Sequence, residues 1–318
     1  MRILVTGGAG FIGSNLVEAL LKDERVSLVR VLDNLATGSL SNIKEFSGNA
    51  KFEFIEGDIR NYQTCLAATS GIDFISHQAA LGSVPRSIND PLTSNEVNVT
   101  GTLHVFNAAK ENNCKRIVYA ASSSTYGDHP GLPKVEDIIG NPLSPYAVTK
   151  YVNELYARVY GSLYNMEIIG LRYFNIFGPK QNPNGPYAAV IPLFAEALLK
   201  NIPPTINGDG SHSRDFTFVD NAVQANILAM FTDNKEAVNQ VYNIACGQQT
   251  SLLELFNGLK NQAATFLEPI HGSERRGDVK HSLADISKAK KYLGYNPVVT
   301  VQEGLTKTYT WYKEQFSK

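Results

Sequence analysis

Residues 1–33 read MRILVTGGAGFIGSNLVEALLKDERVSLVRVLD: a short apolar run, a glycine-rich turn, a helical pattern and a second apolar run. Gly8, Gly10 and Gly13 have the spacing of a dinucleotide-binding turn, in which the glycines allow a tight turn, close approach of a pyrophosphate and helix-on-strand packing. A glycine turn by itself needs no ligand. Here, however, Asp33 follows Gly13 by twenty positions at the end of the second run. A carboxylate there would accept ribose hydroxyls and repel a 2′-phosphate, and Asn34 adds no positive charge, which predicts NAD rather than NADP.

The alternation of apolar runs and helical stretches continues along the chain. Strand-like runs cover 3–6, 28–33, 52–56, 74–77, 117–121 and 168–173, and helical crossovers are expected at 14–22, 98–112 and 146–160. Because each run is too continuous to have a solvent-exposed face, we expect parallel strands covered on both sides. The pattern predicts an α/β fold with a doubly wound parallel sheet, the Rossmann architecture, as an NAD-binding domain over residues 1–176.

Turn-forming residues become more frequent after residue 176. Gly, Pro and Asn turns separate helical pieces such as 192–199 from one more strand-like run, 241–245. Residues 177–318 are therefore expected to form mainly a smaller substrate domain, with some segments returning to the main sheet.

Composition limits the classes of partner. The chain has 318 residues with 29 Lys and Arg against 30 Asp and Glu, and it contains no basic run or acidic tail. We therefore expect neither nucleic-acid nor membrane binding. The 3 cysteines lie far apart, and Met1 leads straight into a strand-like run without a signal-peptide pattern. These features predict a reducing cytoplasm and no disulfide framework.

Tyr146 and Lys150 form the first candidate for catalysis. Their spacing of four in PYAVTKY (145–151) puts phenol and ammonium on one face of a helix. A neighbouring cation favours the phenolate, which could then act as a base. Such a pair alone is usually a solvated surface, but the serines at 122–124 follow a predicted strand, where loops would face the cofactor.

Two further polar positions have alternative interpretations. Asp58 and Ile59 come after the third predicted strand, where an adenine could lie, although Asp58 could equally cap a helix. His77 ends an apolar run and is expected to be a hydrogen-bonded sheet residue. The six histidines show no metal-ligand spacing, so no metal site is expected.

Together, the turn, the serine cluster and the Tyr-Lys pair resemble the extended short-chain dehydrogenase/reductase family over nearly the whole chain. Further strings make it similar to nucleotide-sugar 4-epimerases, most of all to those that act on UDP-N-acetylhexosamines. These strings are QAALGSVPRS (78–87), ASSSTYGD (121–128), RYFN (172–175), SRDF (213–216) and RGDV (276–279).

The resemblance implies a role for each matched residue. The implied catalytic residues are Ser122 at the sugar O4, Tyr146 as base and Lys150 as its orienter. The implied NAD contacts are Gly7, Gly10, Phe11, Ile12, Gly13, Asp33, Asn34, Asp58, Ile59, Gln78, Ala79, Ala80, Tyr146, Lys150 and Tyr173. The implied UDP-sugar contacts are Gly82, Ser83, Ser123, Ser124, Asn175, Ala189, Val190, Asn207, Arg214, Arg275, Asp278 and Ser282.

The resemblance also implies a reaction. UDP-GlcNAc and UDP-GalNAc would interconvert through a 4-keto sugar with transient reduction of NAD. Ser282 occupies the position at which the family places a wall beside the sugar; a tyrosine there favours plain hexoses, whereas a small residue leaves room for an acetamido group. Gly82 is likewise side-chain-free. A homodimer through the helices at 98–112 and 146–160 is expected by analogy.

The sequence bears on four other functions. A UDP-glucose or UDP-galactose 4-epimerase would share the whole mechanism. A uronate epimerase or decarboxylase would need a cation for the sugar carboxylate. A 4,6-dehydratase needs an Asp-Glu pair after the catalytic hydroxyl, where this chain has Ser123 and Ser124. A non-catalytic dinucleotide sensor would not need both Tyr146 and Lys150. For Arg214 or Arg275 alone, a surface ion pair is the simpler interpretation.

Overall fold

A parallel sheet forms the centre of the computed structural model, which describes residues 1–183, 188–273 and 280–316. The strands of the described chain are β1 (Arg2–Thr6), β2 (Leu28–Asp33), β3 (Phe52–Glu56), β4 (Phe74–His77), β5 (Arg116–Ser122), β6 (Glu167–Tyr173), β7 (Ile176–Phe177), β8 (Thr205–Asn207), β9 (Ser213–Arg214), β10 (Thr217–Phe218), β11 (Val241–Ile244), β12 (Thr250–Ser251) and β13 (Ile270–Gly272). Seven of them form the central sheet in the order β3-β2-β1-β4-β5-β6-β11. The predicted α/β class and parallel sheet are confirmed.

The order of strands reverses on either side of β1. Val5 pairs in register with Val31 of β2 and with Ser76 of β4, and all neighbours in this sheet run parallel. Connections leave in opposite directions at this point, so a crevice opens at the carboxyl ends of β1 and β4. The strand order thus places the glycine turn and Gln78 beside the same opening.

Helices cover both faces of the sheet. The helices of the described chain are α1 (Phe11–Lys22), α2 (Tyr62–Thr69), α3 (Val84–Asn89), α4 (Pro91–Asn95), α5 (Gly101–Glu111), α6 (Pro145–Tyr164), α7 (Val190–Leu199), α8 (Val219–Phe231), α9 (Leu252–Ala263), α10 (Ser287–Leu293) and α11 (Val301–Phe316). The helix expected from residue 98 begins with a π-helical turn over Glu96–Thr100, and α5 follows it.

Alternate residues of β1 enter two separate hydrophobic clusters. Ile3 and Val5 pack in the cluster that includes Leu20 of α1, whereas Leu4 packs with Phe106 of α5 on the other face. Continuous apolar sequence in β1 is therefore explained by burial on both sides. The expectation that every run lacks an exposed face is wrong for β3, whose Glu53 and Glu56 are exposed because it is the last strand of the sheet.

The later part of the described chain forms three short strand pairs and contributes one strand, β11, to the central sheet. β7 pairs with β10, β8 with β13 and β9 with β12, while β11 joins the central sheet beside β6. These short pairs had no counterpart in the sequence patterns, since two or three residues carry no periodicity. The division at residue 176 stays a prediction.

Candidate active site

The glycine-rich turn joins β1 to α1 at the crevice. Gly7 has φ +70°, and a Cβ there would lie 2.6 Å from the backbone nitrogen of Ala79. A Cβ on Gly13 would lie 2.1 Å from the carbonyl oxygen of Gly7, so a larger residue fits neither position. The left-handed turn residue is Gly7 rather than Gly8, the first glycine of the predicted spacing. Gly10 caps α1 without a side-chain hydrogen bond, which leaves the helix N-terminus available to an anion.

A cavity of about 580 Å³ lies along this crevice. Its lining includes all the residues predicted to contact NAD: Gly7, Gly10, Phe11, Ile12, Gly13, Asp33, Asn34, Asp58, Ile59, Gln78, Ala79, Ala80, Tyr146, Lys150 and Tyr173. The uncapped helix N-terminus suits a pyrophosphate and the acidic side chain at the end of β2 suits ribose hydroxyls. The residues present therefore fit NAD.

Two carboxylates lie near one another at the end of the cavity formed by β2 and β3. Asp33 is buried, and its carboxylate accepts hydrogen bonds from the backbone N–H of Ala9 at 2.9 Å and of Leu35 at 2.8 Å. Asp58 accepts from the amide of Asn34 at 2.8 Å, and its hydrogen bonds with Arg60 hold its pKa down at about 2. Asn61 rather than Asp58 caps α2, so the alternative that Asp58 is a helix cap is wrong.

The Ser122, Tyr146 and Lys150 side chains meet at the opposite end of the same cavity. Ser122 ends β5, and Tyr146 and Lys150 lie one turn apart on α6, which begins where the Ser144 hydroxyl accepts from the N–H of Ala147 at 3.1 Å. Lys150 Nζ lies 5.9 Å from the centre of the Tyr146 ring and donates to the Ala120 carbonyl at 2.9 Å. The predicted grouping of the three residues is thus realised in space.

Burial shifts the protonation of both helix residues. It lowers the pKa of Lys150 from 10.5 to about 8 and raises the pKa of Tyr146, and a hydrogen bond with Ser122 opposes the shift at Tyr146. Lys150 is therefore still charged at neutral pH, as the orienter of a phenolate must be. A further positive charge near Tyr146, such as an oxidised nicotinamide, would lower its pKa.

The other two serines of the cluster are not among the described lining residues of the cavity. Ser124 donates from both its backbone N–H and its hydroxyl to Ser122 Oγ, at 3.2 Å and 2.9 Å. Among the described residues that line the cavity, neither Ser123 nor Ser124 appears. Their sugar contacts stay a prediction.

His77 takes part in a hydrogen-bond network beneath the cavity. Its Nδ1 lies 2.7 Å from Thr6 Oγ1 and its Nε2 3.0 Å from Thr102 Oγ1. Burial lowers the pKa of His77 to about 3, so the ring is neutral. The prediction that it is a hydrogen-bonded sheet residue is confirmed.

A second cavity of about 690 Å³ adjoins the first. Asn175 and Ile176 line both cavities, and Gly82 and Ser83 line the first. The predicted sugar-nucleotide residues in the second cavity are Ala189, Val190, Asn207 and Arg214. The first cavity thus adjoins a second space that could hold another ligand.

Three further predicted contacts, Ser282, Arg275 and Asp278, stay predictions. Ser282 donates its backbone N–H to the Ser213 carbonyl at 3.1 Å, and the Arg214 guanidinium donates to the same carbonyl at 3.0 Å. Ser282 is not among the described lining residues of either cavity. Arg275 and Asp278 lie outside the described residues.

Several lining residues were missed by the sequence reasoning. Arg60 and Thr37 line the first cavity, and both follow strand ends, which is a signal that could have identified them. His212 and Phe216 line the second cavity. Phe216 ends the SRDF string at 213–216, whereas no local pattern marks His212. Arg60 is paired with Asp58 at 2.7 Å, so its charge is largely compensated.

The described part of the chain has neither a cluster of metal-binding side chains nor a membrane-spanning helix. No group of three or more His, Cys, Asp or Glu side chains there could hold a metal ion. No described helix is both long and apolar enough to cross a membrane.

Comparisons with known proteins agree with this geometry. A family model described as "NAD dependent epimerase/dehydratase family" matches residues 3–245. The UDP-glucose 4-epimerase of Mycolicibacterium smegmatis is 38% identical over 99% of both chains. The solved UDP-N-acetylglucosamine 4-epimerase of Methanobrevibacter ruminantium M1, in complex with UDP-N-acetylmuramic acid, is 37% identical with a TM-score of 0.93 and coverage of 99% and 98%. The UDP-glucuronic acid 4-epimerase of Bacillus cereus, solved with UDP-glucuronic acid and NAD, is 33% identical with a TM-score of 0.91 and coverage of 99% and 100%.

Proposed function

The chain belongs to the NAD dependent epimerase/dehydratase family, and from that premise we propose that it interconverts UDP-GlcNAc and UDP-GalNAc by inverting the sugar at C4. The relatives support the broader activity, 4-epimerisation of UDP-sugars. The observation that carries the proposal is the meeting of Ser122, Tyr146 and Lys150 in one cavity with the glycine turn.

The protein's own groups handle the proton at O4. The Tyr146 phenolate accepts the proton of the C4 hydroxyl, and the Ser122 hydroxyl hydrogen-bonds the same oxygen. Bound NAD supplies the acceptor and later the donor for the hydrogen on C4. Lys150 stabilises the phenolate through its charge, and its bond to the Ala120 carbonyl holds the ammonium in place. Tyr146 returns the proton to O4 once the opposite face of the sugar is presented.

The preference for acetylated sugars rests on open space beside the proposed sugar position. A Cβ built on Gly82 meets no atom of the described residues within 4 Å. Ser282 is a small residue bonded through its backbone to Ser213, the neighbour of Arg214, which lines the second cavity. Both positions would tolerate a bulky 2-substituent. Arg214 would hold the diphosphate with its guanidinium, and Arg275 and Asp278 would close over the nucleotide.

A turnover experiment tests the proposal. Purified protein would be incubated without added cofactor, separately with UDP-GalNAc, UDP-galactose and UDP-glucuronate, and the anomeric protons followed by NMR. We expect UDP-GalNAc to convert fastest. Faster conversion of UDP-galactose or UDP-glucuronate would refute the specificity and leave the mechanism. No conversion of any sugar, even with NAD supplied, would refute the epimerase.

Matched variants on one helix test the role of Tyr146. Tyr146→Phe removes the phenol oxygen and should lower kcat by about 10²- to 10⁴-fold. Tyr156→Phe makes the same change on the exposed side of α6 and should leave kcat unchanged. Equal activity of the two variants would contradict the assignment of the base.

We further propose a cytoplasmic homodimer with NAD bound mainly by residues 1–176 and the sugar nucleotide mainly by 177–318. Exposed Val148, Leu155 and Val159 follow one face of α6 and would be covered by a second copy. Cys65, Cys114 and Cys246 are free thiols in the described chain. Val159→Glu with Leu155→Glu should give a monomer in analytical ultracentrifugation; an unchanged mass would refute this interface.

A further inference from the structure

A closed ring of hydrogen bonds lies beneath the first cavity. It joins Gln78 after β4, Tyr173 at the end of β6 and Asn226 on α8. The Asn226 amide donates to Tyr173 Oη at 2.7 Å, Tyr173 Oη donates to Gln78 Oε1 at 3.1 Å, and Gln78 Nε2 donates to Asn226 Oδ1 at 2.9 Å. Each member donates to the next, so the ring has one consistent direction.

The remaining polar atoms of Asn226 are also satisfied. Its second amide hydrogen goes to the Ala222 carbonyl at 2.8 Å, and Oδ1 also accepts from the Ser76 hydroxyl at 3.3 Å. Ser76 Oγ in turn accepts from Gln78 Nε2 at 2.9 Å. Reversing the Asn226 amide would place donors against donors, so the network admits one orientation of this side chain.

The ring controls two residues that face the cavity. Gln78 and Tyr173 line it, whereas Asn226 is 0% exposed and is not among the described lining residues. Burial raises the pKa of Tyr173 to about 12, although the bonds from Asn226 and to Gln78 oppose the shift. Tyr173 therefore stays a neutral phenol whose hydrogen is committed to Gln78, which leaves Tyr146 as the phenol available for proton transfer.

We propose that Asn226 is a positioning residue that fixes the Gln78 and Tyr173 side chains as the surface against which NAD is held. The inference rests on the proposed placement of NAD in the first cavity. Without Asn226, the amide of Gln78 and the phenol of Tyr173 would each lose a partner and gain alternative rotamers. The surface under the cofactor would then no longer be preorganised.

A second asparagine on α8 provides a control. Asn221 is also 0% exposed; its Oδ1 accepts from the N–H of Val298 and Val299, and its amide donates to the Val299 carbonyl at 2.8 Å. It lies one and a half turns from Asn226 and ties down the segment before α11, outside the described lining of both cavities. Replacing it removes a comparable number of buried hydrogen bonds without touching the ring.

The experiment measures release of NAD from the holoenzyme and uses no sugar. Asn226→Leu should release NAD roughly tenfold faster than wild type. Asn221→Leu should release NAD at the wild-type rate, although its melting temperature should fall by as much as that of Asn226→Leu. Asn226→Asp keeps the size and the acceptor but loses the donor to Tyr173, and it replaces Asn226→Leu in the test if the leucine variant does not fold.

Coupling to the ring provides a second readout. In a Tyr173→Phe background the bond from Asn226 has no acceptor, so Asn226→Leu should accelerate NAD release less than it does in wild type. Wild-type release rates in Asn226→Leu, or equal acceleration in Asn221→Leu, would overturn the inference. Wild-type protein that holds NAD but converts no UDP-sugar would instead refute the proposed function.

Discussion

Replacing Lys150 by methionine should stabilise the folded protein at neutral pH while abolishing turnover. Lys150 is 4% exposed, and lowering its pKa from 10.5 to about 8 means that burial disfavours the charged form. At about 1.4 kcal/mol per pH unit this amounts to about 3 kcal/mol. Its hydrogen bond to the Ala120 carbonyl offsets about 1 kcal/mol, so Lys150→Met should be more stable by about 2 kcal/mol at pH 7.

The pH dependence gives the prediction its sign. Between pH 8 and 10.5 the unfolded wild type binds more protons than the folded protein, so the free energy of unfolding rises with pH across this window. The methionine variant lacks this contribution, and its advantage over wild type should shrink as pH rises through that window. Below pH 8 the difference should be constant.

Urea unfolding of NAD-free protein at a series of pH values measures the difference directly. Lys134→Met is the matched control, because Lys134 is also buried, burial also lowers its pKa, and it lies outside the described lining of both cavities. It should keep its turnover. A Lys150→Met variant less stable than wild type at pH 7, with no change in the difference above pH 8, would refute the reasoning.

Three other substitutions separate binding, specificity and stability. Asp33→Ala removes the acceptor at the end of β2 and should weaken NAD binding at least about tenfold by calorimetry; unchanged affinity would contradict its ribose role. Ser282→Tyr should abolish turnover of UDP-GalNAc but not of UDP-galactose by NMR, and unchanged acetylated turnover would contradict the wall. Glu154→Leu leaves the buried Arg172 guanidinium without the carboxylate that pairs with it at 2.7 Å. The free energy of unfolding measured in urea should fall by about 3–5 kcal/mol, and a loss under about 1 kcal/mol would argue against a buried pair.

Patterns of neighbouring residues were sufficient for much of the fold. Branched apolar runs predicted β1, β2, β4, β5 and β6, because a strand buried on both faces must be apolar at consecutive positions. The same patterns misjudged β3, since FEFIE is apolar enough to form a strand but the sequence does not reveal that its place is at the edge. Strand order depends on crossovers that no local pattern records.

The candidate site divides in the same way. Spacing alone predicted that Tyr146 and Lys150 lie on one helix face and that the glycine turn leads directly into α1. Both predictions hold because helical period and backbone sterics act over a few residues. Ser123 and Ser124 share a string with Ser122, yet they begin a short helical turn over Ser123–Tyr126 and are not among the described lining residues of the cavity.

The sequence by itself determined the α/β class, the nucleotide turn and the composition of the Ser-Tyr-Lys group. Only the tertiary structure decided that Asn226 meets Gln78 and Tyr173, residues 148 and 53 positions away. Such contacts are set by how α8 packs against the ends of β4 and β6, and packing depends on the shapes of all the side chains between them. Local sequence governs which elements form, while the side chains that share a site are chosen by the arrangement of those elements.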